Sequence, residues 1–527
     1  MGISQHLRCG SRLQSPKPAL RRRCERFRFH SVNEGVFMSE TIPAKVTDST
    51  GGRSLRSVIE DHALAPVPES SRRSGWGLAF NTAGVGTTLI ILAIGSGVTY
   101  VAGTKWGIAM GVVAAVFGTL LGWGIGHVCQ VAGTSSTVTS RFYGLGARGS
   151  ALASVIFAFM CLGFLALENA LLYYGTLFMF GWAPTTLNAI VIYGILTIAW
   201  ILLTTFGLSL VQRTSTILTI ASVVLIGAVT VIALSRSDIG VAEIWAYSPP
   251  NLSMGDITAG LAAIAGIAGA LALTGADFGR FARTSKDVGI MSVVGSIIVN
   301  VLVVIVGTLI FQAGNSVVTG FLQDPANADV AATQAGATTA EKLDFMAHSN
   351  AGAYFIVLAG AVGFLVMYAA QAKAQVINTY SSSLALSNLS DAVVRRSPGR
   401  FWMVIAGNVI GLLAIMGDIL GLINSWLGIL GILTTSLCTL VIVDYFVVRR
   451  RTPAAADRVE NVNIPGVVAL VVSSLVAYIA TQTGVTPLGF AVALVLTAVL
   501  YVGLRRVVPE GRWGGFADAR EALRDEE

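Results

Sequence analysis

Charge is what this sequence has least of: Asp, Glu, Lys and Arg make up only 12% of its 527 residues. A soluble globular chain carries about a quarter, so a water-facing surface along its whole length is excluded. Cysteine is sparse too. Cys9, Cys24, Cys129, Cys161 and Cys438 are scattered without the paired spacing of a zinc site or disulfide framework. No nucleophile–base pair or metal-ligand cluster stands out, which argues against an enzyme and leaves metal ligands at none. The first 75 residues are polar and rich in Arg, Ser and Pro, and lack the apolar run of a secretory signal. Met38 reads as an alternative start, with residues 1–37 an over-extension or disordered tail. The formal net charge of +7 raises the question of nucleic acid. The cations sit in short loops and at the N-terminus, however, so they read as topology signals, and nucleic acid is not an expected partner.

What is present is hydrophobicity, at 54% of residues, in runs long enough to cross about 30 Å of hydrocarbon. The pattern predicts an all-α polytopic membrane protein. Twelve spans fall near 78–101, 107–131, 150–178, 184–207, 214–234, 257–276, 289–313, 352–383, 401–417, 420–446, 464–482 and 487–505. Residues 1–75 then form a cytoplasmic, mostly disordered segment, 76–506 the transmembrane domain and 507–527 a cytoplasmic tail. Charge placement tests the count independently. With the N-terminus inside, the inner loops hold Arg141, Arg148, Arg213, the Arg280–Lys286 group, Arg395 to Arg400, Arg449 to Arg451 and Arg458. The outer loops hold Lys105, Arg236 and Lys342. That asymmetry follows the positive-inside rule, places both termini in the cytoplasm and suits a plasma (inner) membrane protein. The long outer loop 314–351 should carry a short helix near Thr338–Ala347.

A transporter needs polar groups inside the bilayer, and a broken helix supplies them from its backbone. Two spans have suitable composition. The first reads Asn81-Thr-Ala-Gly84-Val-Gly86-Thr87-Thr88, and the sixth Gly266-Ile-Ala-Gly269-Ala270. Lying five spans apart, they suit an inverted repeat. The alternative is that their glycines merely let neighbouring helices approach. Ionisable residues at membrane depth are rarer. Glu168 lies in the middle of the third span and Lys373 in the eighth. Gln371, Gln375 and Asn378 share one face by helical spacing, and Lys373 points elsewhere. A carboxylate and amides match the donor–acceptor edge of a nucleobase, and Phe164 could stack on its ring. A structural Glu168–Lys373 pair is the competing reading. Gly144-Leu-Gly146-Ala-Arg-Gly149 imitates a dinucleotide fingerprint, but no strand precedes it. His127 reads as structural, and Asp418 as solvated near the outer surface.

These motifs resemble those of the purine/cytosine permeases, the nucleobase–cation symporter-1 type. Ile59-Glu60 and Ala65-Pro66-Val67-Pro68-Glu69-Ser-Ser-Arg72 resemble the segment before the first span. Thr139-Ser140-Arg141-Phe-Tyr-Gly144-Leu-Gly146 resembles the stretch after the second, Ala276-Asp277-Phe278-Gly-Arg280-Phe281-Ala-Arg283 the motif after the sixth, and Asn378-Thr-Tyr380-Ser-Ser-Ser-Leu384-Ala-Leu386 the end of the eighth. The likeness covers about 58–510. It implies a LeuT-type fold of 5+5 repeated helices plus two, with helices 1 and 6 discontinuous. It also implies a planar heterocyclic substrate, no organic cofactor, and H⁺ or Na⁺ as coupling cation. Phe164 would stack on substrate, with Glu168, Gln375 and Asn378 as polar contacts. Gly84 and Gly86 would lie at the first break, and Ala268 to Ala270, with Gly269, at the sixth-span contact. Sodium-coupled relatives place hydroxyls where this chain has Ala369 and Ala370. Lys373, one turn on, could substitute for the ion, with Glu168 as second coupling candidate. Competing readings are an amino-acid or amine carrier of the same fold, and a sensor that binds without translocating.

Overall fold

The computed structural model describes residues 66–518, apart from 207, 349, 397, 417–421 and 452–457. Most of the N-terminal segment, Asp418 and the end of the C-terminal tail therefore lie outside the described residues. Helices dominate. The first span is two helices, α1 (Gly75–Gly86) and α2 (Leu89–Ala102), followed by α3 (Thr104–Ala132) and the short α4 (Ser136–Phe142). Next come α5 (Ser150–Phe180), α6 (Thr186–Phe206), α7 (Leu208–Arg236), the short α8 (Val241–Ala246) and α9 (Met254–Gly279). Then α10 (Ser285–Ile297) runs through a π-helical stretch into α11 (Val303–Gln323). The chain continues through α12 (Thr339–His348), α13 (Ala351–Ala359), α14 (Ala361–Val394), α15 (Arg400–Met416) and α16 (Ile423–Val443). The end is α17 (Ile464–Gln482) and α18 (Gly489–Val507). Strands β1 (Arg458–Glu460) and β2 (Phe516–Asp518) pair antiparallel, Val459 opposite Ala517.

Among the described residues, nine helices are long and apolar enough to cross a membrane. The predicted spans outside that set each have a physical reason. The first is divided, the ninth is the short α15, and the eighth is polar and interrupted. Gly360 divides it at φ 59°, ψ −134°, a conformation that L side chains avoid. Beyond it, α14 buries Gln371, Lys373, Gln375, Asn378, Ser381 to Ser383 and Asn388. The seventh element exceeds its predicted span. Helix continues to Gln323, so the outer loop begins later than 314, and its short helix is α12.

The break between α1 and α2 follows from local chemistry. Glycines at 84 and 86 weaken the last turn of α1. Thr87 leaves helical geometry (φ −91°, ψ 49°) and Thr88 is extended (φ −103°, ψ 157°). The Thr87 hydroxyl donates to the Gly84 carbonyl at 3.3 Å, and the Thr88 carbonyl accepts the first amide bond of α2, from Leu92 at 3.1 Å. Side chain and cap thus satisfy groups that a break would otherwise strand in hydrocarbon.

The sixth span does not break. α9 runs continuously from Met254 to Gly279, contrary to the expectation of a discontinuity at Gly266–Ala270. Its glycines are packing surfaces. A Cβ on Gly266 would stand 2.6 Å from the Leu427 carbonyl oxygen, and one on Gly269 2.5 Å from the Thr434 hydroxyl, both on α16. One on Gly431 would stand 3.0 Å from the Gly266 Cα. Two backbones meet here, as small residues allow in membrane bundles.

One end of the bundle is laced by polar contacts. Arg73 N–H donates to Phe281 O at 2.7 Å and Arg283 N–H to Arg73 O at 3.2 Å. The Gly75 amide donates to Asp287 at 2.7 Å, and Asp287 also caps α10 through Thr284. Burial works to raise the Asp287 pKa, but donors from Thr284 and Gly75 and the Arg283 charge outweigh it and lower the pKa. Ser136 N–H donates to Asp277 at 2.7 Å. Buried Arg141 bonds Asn388 and pairs with Asp391 at 2.7 Å. The dinucleotide look-alike is a docking turn: Gly144 and Gly146 take φ of 104° and 86°. Ala147 and Arg148 then donate to the carbonyls of Glu460 and Asn461, each at 2.8 Å. His127 lies among the rings of Trp123, Tyr445 and Phe446.

Candidate substrate site

α5 and α14 lie against one another and bring the third-span and eighth-span polar residues together. Glu168 is 2% exposed and accepts from Asn378 Nδ2 at 3.3 Å. Gln375 Nε2 donates to Leu165 O at 3.1 Å and Asn169 Oδ1 at 2.9 Å. Trp200 Nε1 of α6 closes this row on Asn169 Oδ1 at 2.8 Å. Several buried polar atoms have no hydrogen-bond partner: Gln375 Oε1, both amide atoms of Gln371, and the indole N–H of Trp426. Such atoms are costly in an apolar interior unless something polar meets them.

Phe164 is half-buried one turn before Glu168, on the same face of α5. Trp426 of α16 meets its ring edge-on, with centroids 4.9 Å apart and planes at 89°. A Cβ on Gly163 would overlap the Trp426 ring, so the glycine makes room for the indole.

Lys373 and Glu168 form no ion pair. Two residues along a helix are about 160° apart round its axis, so Lys373 faces away from Gln375 and toward the broken first span. Its ammonium donates to the Thr219 hydroxyl of α7 at 2.5 Å and lies directly over Gly84. Any Cβ at Gly84 would overlap Lys373 Nζ. Ala370 is buried and Ala369 half-buried, one turn before the lysine. The cation thus bridges α14, α7 and the end of α1. Each of Lys373 and Glu168 carries an ionisable group in the interior without an opposite charge, an arrangement more consistent with chemistry than with stabilisation.

The other sequence-predicted residues lie apart from this row. Gly86 is buried against Val299, Ala268 packs beside Gly118 of α3, and Gly269 faces Thr434. Asn169, Trp200, Thr219 and Trp426 escaped the sequence reading. Asn169 had a signal, adjacency to Glu168, whereas the others depend on contacts between distant helices. Two cavities, of about 510 and 260 Å³, flank α2 on its side of the break. Neither is lined by Glu168, Gln375, Asn378 or Phe164.

With this geometry in place, residues 66–501 match the family described as Permease for cytosine/purines, uracil, thiamine, allantoin. The chain belongs to that family. Among solved structures it is similar to Mhp1, a nucleobase-cation-symport-1 family transporter, in a closed conformation with bromovinylhydantoin bound. The TM-score is 0.64 at 15% identity, covering 88% of this chain and 99% of that one. The inward-facing conformation of Mhp1 gives 0.65 at 15% identity, covering 89% and 99%. A Na⁺-coupled sialic acid symporter in a substrate-bound outward-open state gives 0.58 at 15%, covering 84% and 91%. A search of curated proteins returned no match. The chain is therefore a multi-pass membrane protein of this permease family, and the similarity of its fold to Mhp1 extends over nearly the whole bundle.

Proposed function

We propose that this permease imports a small planar heterocycle of the nucleobase or allantoin class by alternating access across the plasma membrane. In this reading twelve spans cross the bilayer, ten of them as a LeuT-type pair of repeats, with both termini cytoplasmic. The substrate lies between the α1–α2 break, α5 and α14. Its ring packs on Phe164, and its N–H groups meet the Glu168 carboxylate. Its acceptors meet the amide N–H groups of Gln371 and Asn378, and a further N–H of the ring meets the free Gln375 carbonyl oxygen. The observation that carries the reading is the unpaired carboxylate beside a row of unsatisfied amides, next to an interrupted helix. Selectivity follows, because a buried donor or acceptor left without its partner costs about 1–3 kcal/mol. A ring lacking the matching edge is rejected on that ground.

Coupling is assigned to Lys373. Its ammonium lies over Gly84 and beside Ala369 and Ala370, positions that lack the hydroxyls of a sodium site. A fixed cation there supplies the charge that Na⁺ supplies elsewhere, which makes transport Na⁺-independent. Loss and return of its proton would couple the cycle to the proton gradient. Proteoliposomes test this directly with radiolabelled cytosine, uracil and allantoin. Uptake should proceed in Na⁺-free buffer, respond to an inward proton gradient and lose that response in Lys373→Ala. Strict Na⁺ dependence without a proton response would overturn the coupling assignment. Binding without counterflow exchange would instead point to a sensor.

A further inference from the structure

The 260 Å³ cavity is built from parts that the transport site does not use. One wall is α2, through Ala93, Ser96 and Gly97. Ala93 is five residues beyond the break at Thr88, so the cavity lies within two helical turns of it. The opposite side is α12, which lies across it through Ala340, Leu343, Asp344 and Ala347. Pockets for drug-sized ligands run about 300–1,000 Å³, so this one suits a compound of one or two rings.

Its chemistry is specific. Tyr100 and Tyr247 stack with centroids 5.9 Å apart and planes at 17°, and Tyr247 O–H donates to Tyr100 O at 3.0 Å. That bond pins a flat aromatic face on one side. Phe311 and Tyr354 pack at 4.7 Å on another. Between them α11 presents Gln312 and Asn315, three residues apart and thus neighbours on one helix face. Their outward bonds occupy one hydrogen-bonding position on each amide. Asn315 Oδ1 accepts from Tyr354 O–H at 3.2 Å, leaving its Nδ2 as donor. Gln312 Nε2 donates to Thr104 Oγ1 at 3.4 Å, leaving its Oε1 as acceptor. One donor and one acceptor, side by side under aromatic walls, complement a ring in which N–H and C=O are adjacent.

We infer that this cavity is a second binding site, in which a planar heterocycle with an adjacent N–H and C=O is held by Gln312 and Asn315 before it reaches the α1–α2 break. The inference rests on the transport reading above, and its test separates the two. Full-length purified protein is titrated with radiolabelled uracil, cytosine and allantoin at equilibrium. The ligand that binds occupies two sites per chain. Ala347→Trp fills the cavity and leaves one, Glu168→Gln leaves the other one, and the double variant binds none. Asn315→Asp keeps the acceptor for Tyr354 but removes the amide donor, and weakens the second site about tenfold. It also carries the test should the tryptophan variant fail to fold. A single site in the wild type, abolished by Glu168→Gln, would overturn this inference and leave the transport site standing. Two sites that persist in Ala347→Trp and are unaltered by Asn315→Asp would overturn it as well. No binding of any of the three to the wild type would remove both readings.

Discussion

Two glycine-rich helices in this protein meet opposite fates. α1 stops at Gly86 and the chain restarts at Leu89, whereas α9 passes through Gly266, Gly269 and Gly275 without interruption. Glycine therefore permits a break and does not cause one. At the first span two threonines follow the glycines, and one hydroxyl takes over a carbonyl that loses its helical donor. In α9 no threonine follows the glycines directly, and Gly266 and Gly269 are pressed against α16, the first against its backbone. Where a helix gains close contact along its length it stays helical. Where side chains can replace backbone partners it can open.

Substitutions should break this contrast in opposite directions. The largest effect is expected at α9. Gly266→Leu forces side-chain volume against the Leu427 backbone, which cannot swing away, and should cost about 3 kcal/mol. A drop in the unfolding temperature of purified protein measures it. Gly84→Ala meets side-chain ends and no backbone, the flexible end of Lys373 and the Thr219 hydroxyl, so stability should change less than at Gly266. Uptake should nevertheless fall about tenfold, equivalent to about 1.4 kcal/mol, because the ammonium is pushed off the break. If both variants lose stability equally, the contrast fails. Thr87→Val removes the hydroxyl bond to Gly84 and should cost about 1 kcal/mol, seen as faster amide hydrogen exchange at Leu89–Leu92.

The smallest effect concerns how α1 is anchored. Asp287 caps α10 and holds the Gly75 amide, and its folded pKa is lowered. Its stabilisation is therefore complete above the ordinary carboxylate range and is lost as pH falls through the lowered folded value. Asp287→Ala should cost about 0.5–1 kcal/mol at neutral pH. The gap to wild type should narrow on acidification, as thermal unfolding over a pH series would register. A gap that widened toward acid would reverse the assigned sign.

Much of this could be read from residue order. Span positions follow from hydropathy, and the α1–α2 break from Gly84, Gly86 and the paired threonines. The buried polar face of α14 follows from the spacing of Gln371, Gln375 and Asn378. The unbroken α9 could not be read, because a glycine packed against backbone and one beside a break look alike in one dimension. Gly360 was hidden for a related reason: its left-handed turn lies between apolar stretches that read as one span. Trp426 and Thr219 reach the site from α16 and α7, far away in sequence, and no local pattern marks them. Proximity of Lys373 and Glu168 on one helix pair suggested an ion pair, yet helical phase sends them to different neighbours.

The account depends most on Glu168 being buried to hold a ligand. Thermal-shift titration of wild-type and Glu168→Gln protein with cytosine, uracil, hypoxanthine and allantoin tests this directly. At least one heterocycle should stabilise the wild type, with the shift lost or reduced about tenfold in apparent affinity in the variant. An equal shift in both proteins, or none in the wild type, would contradict it.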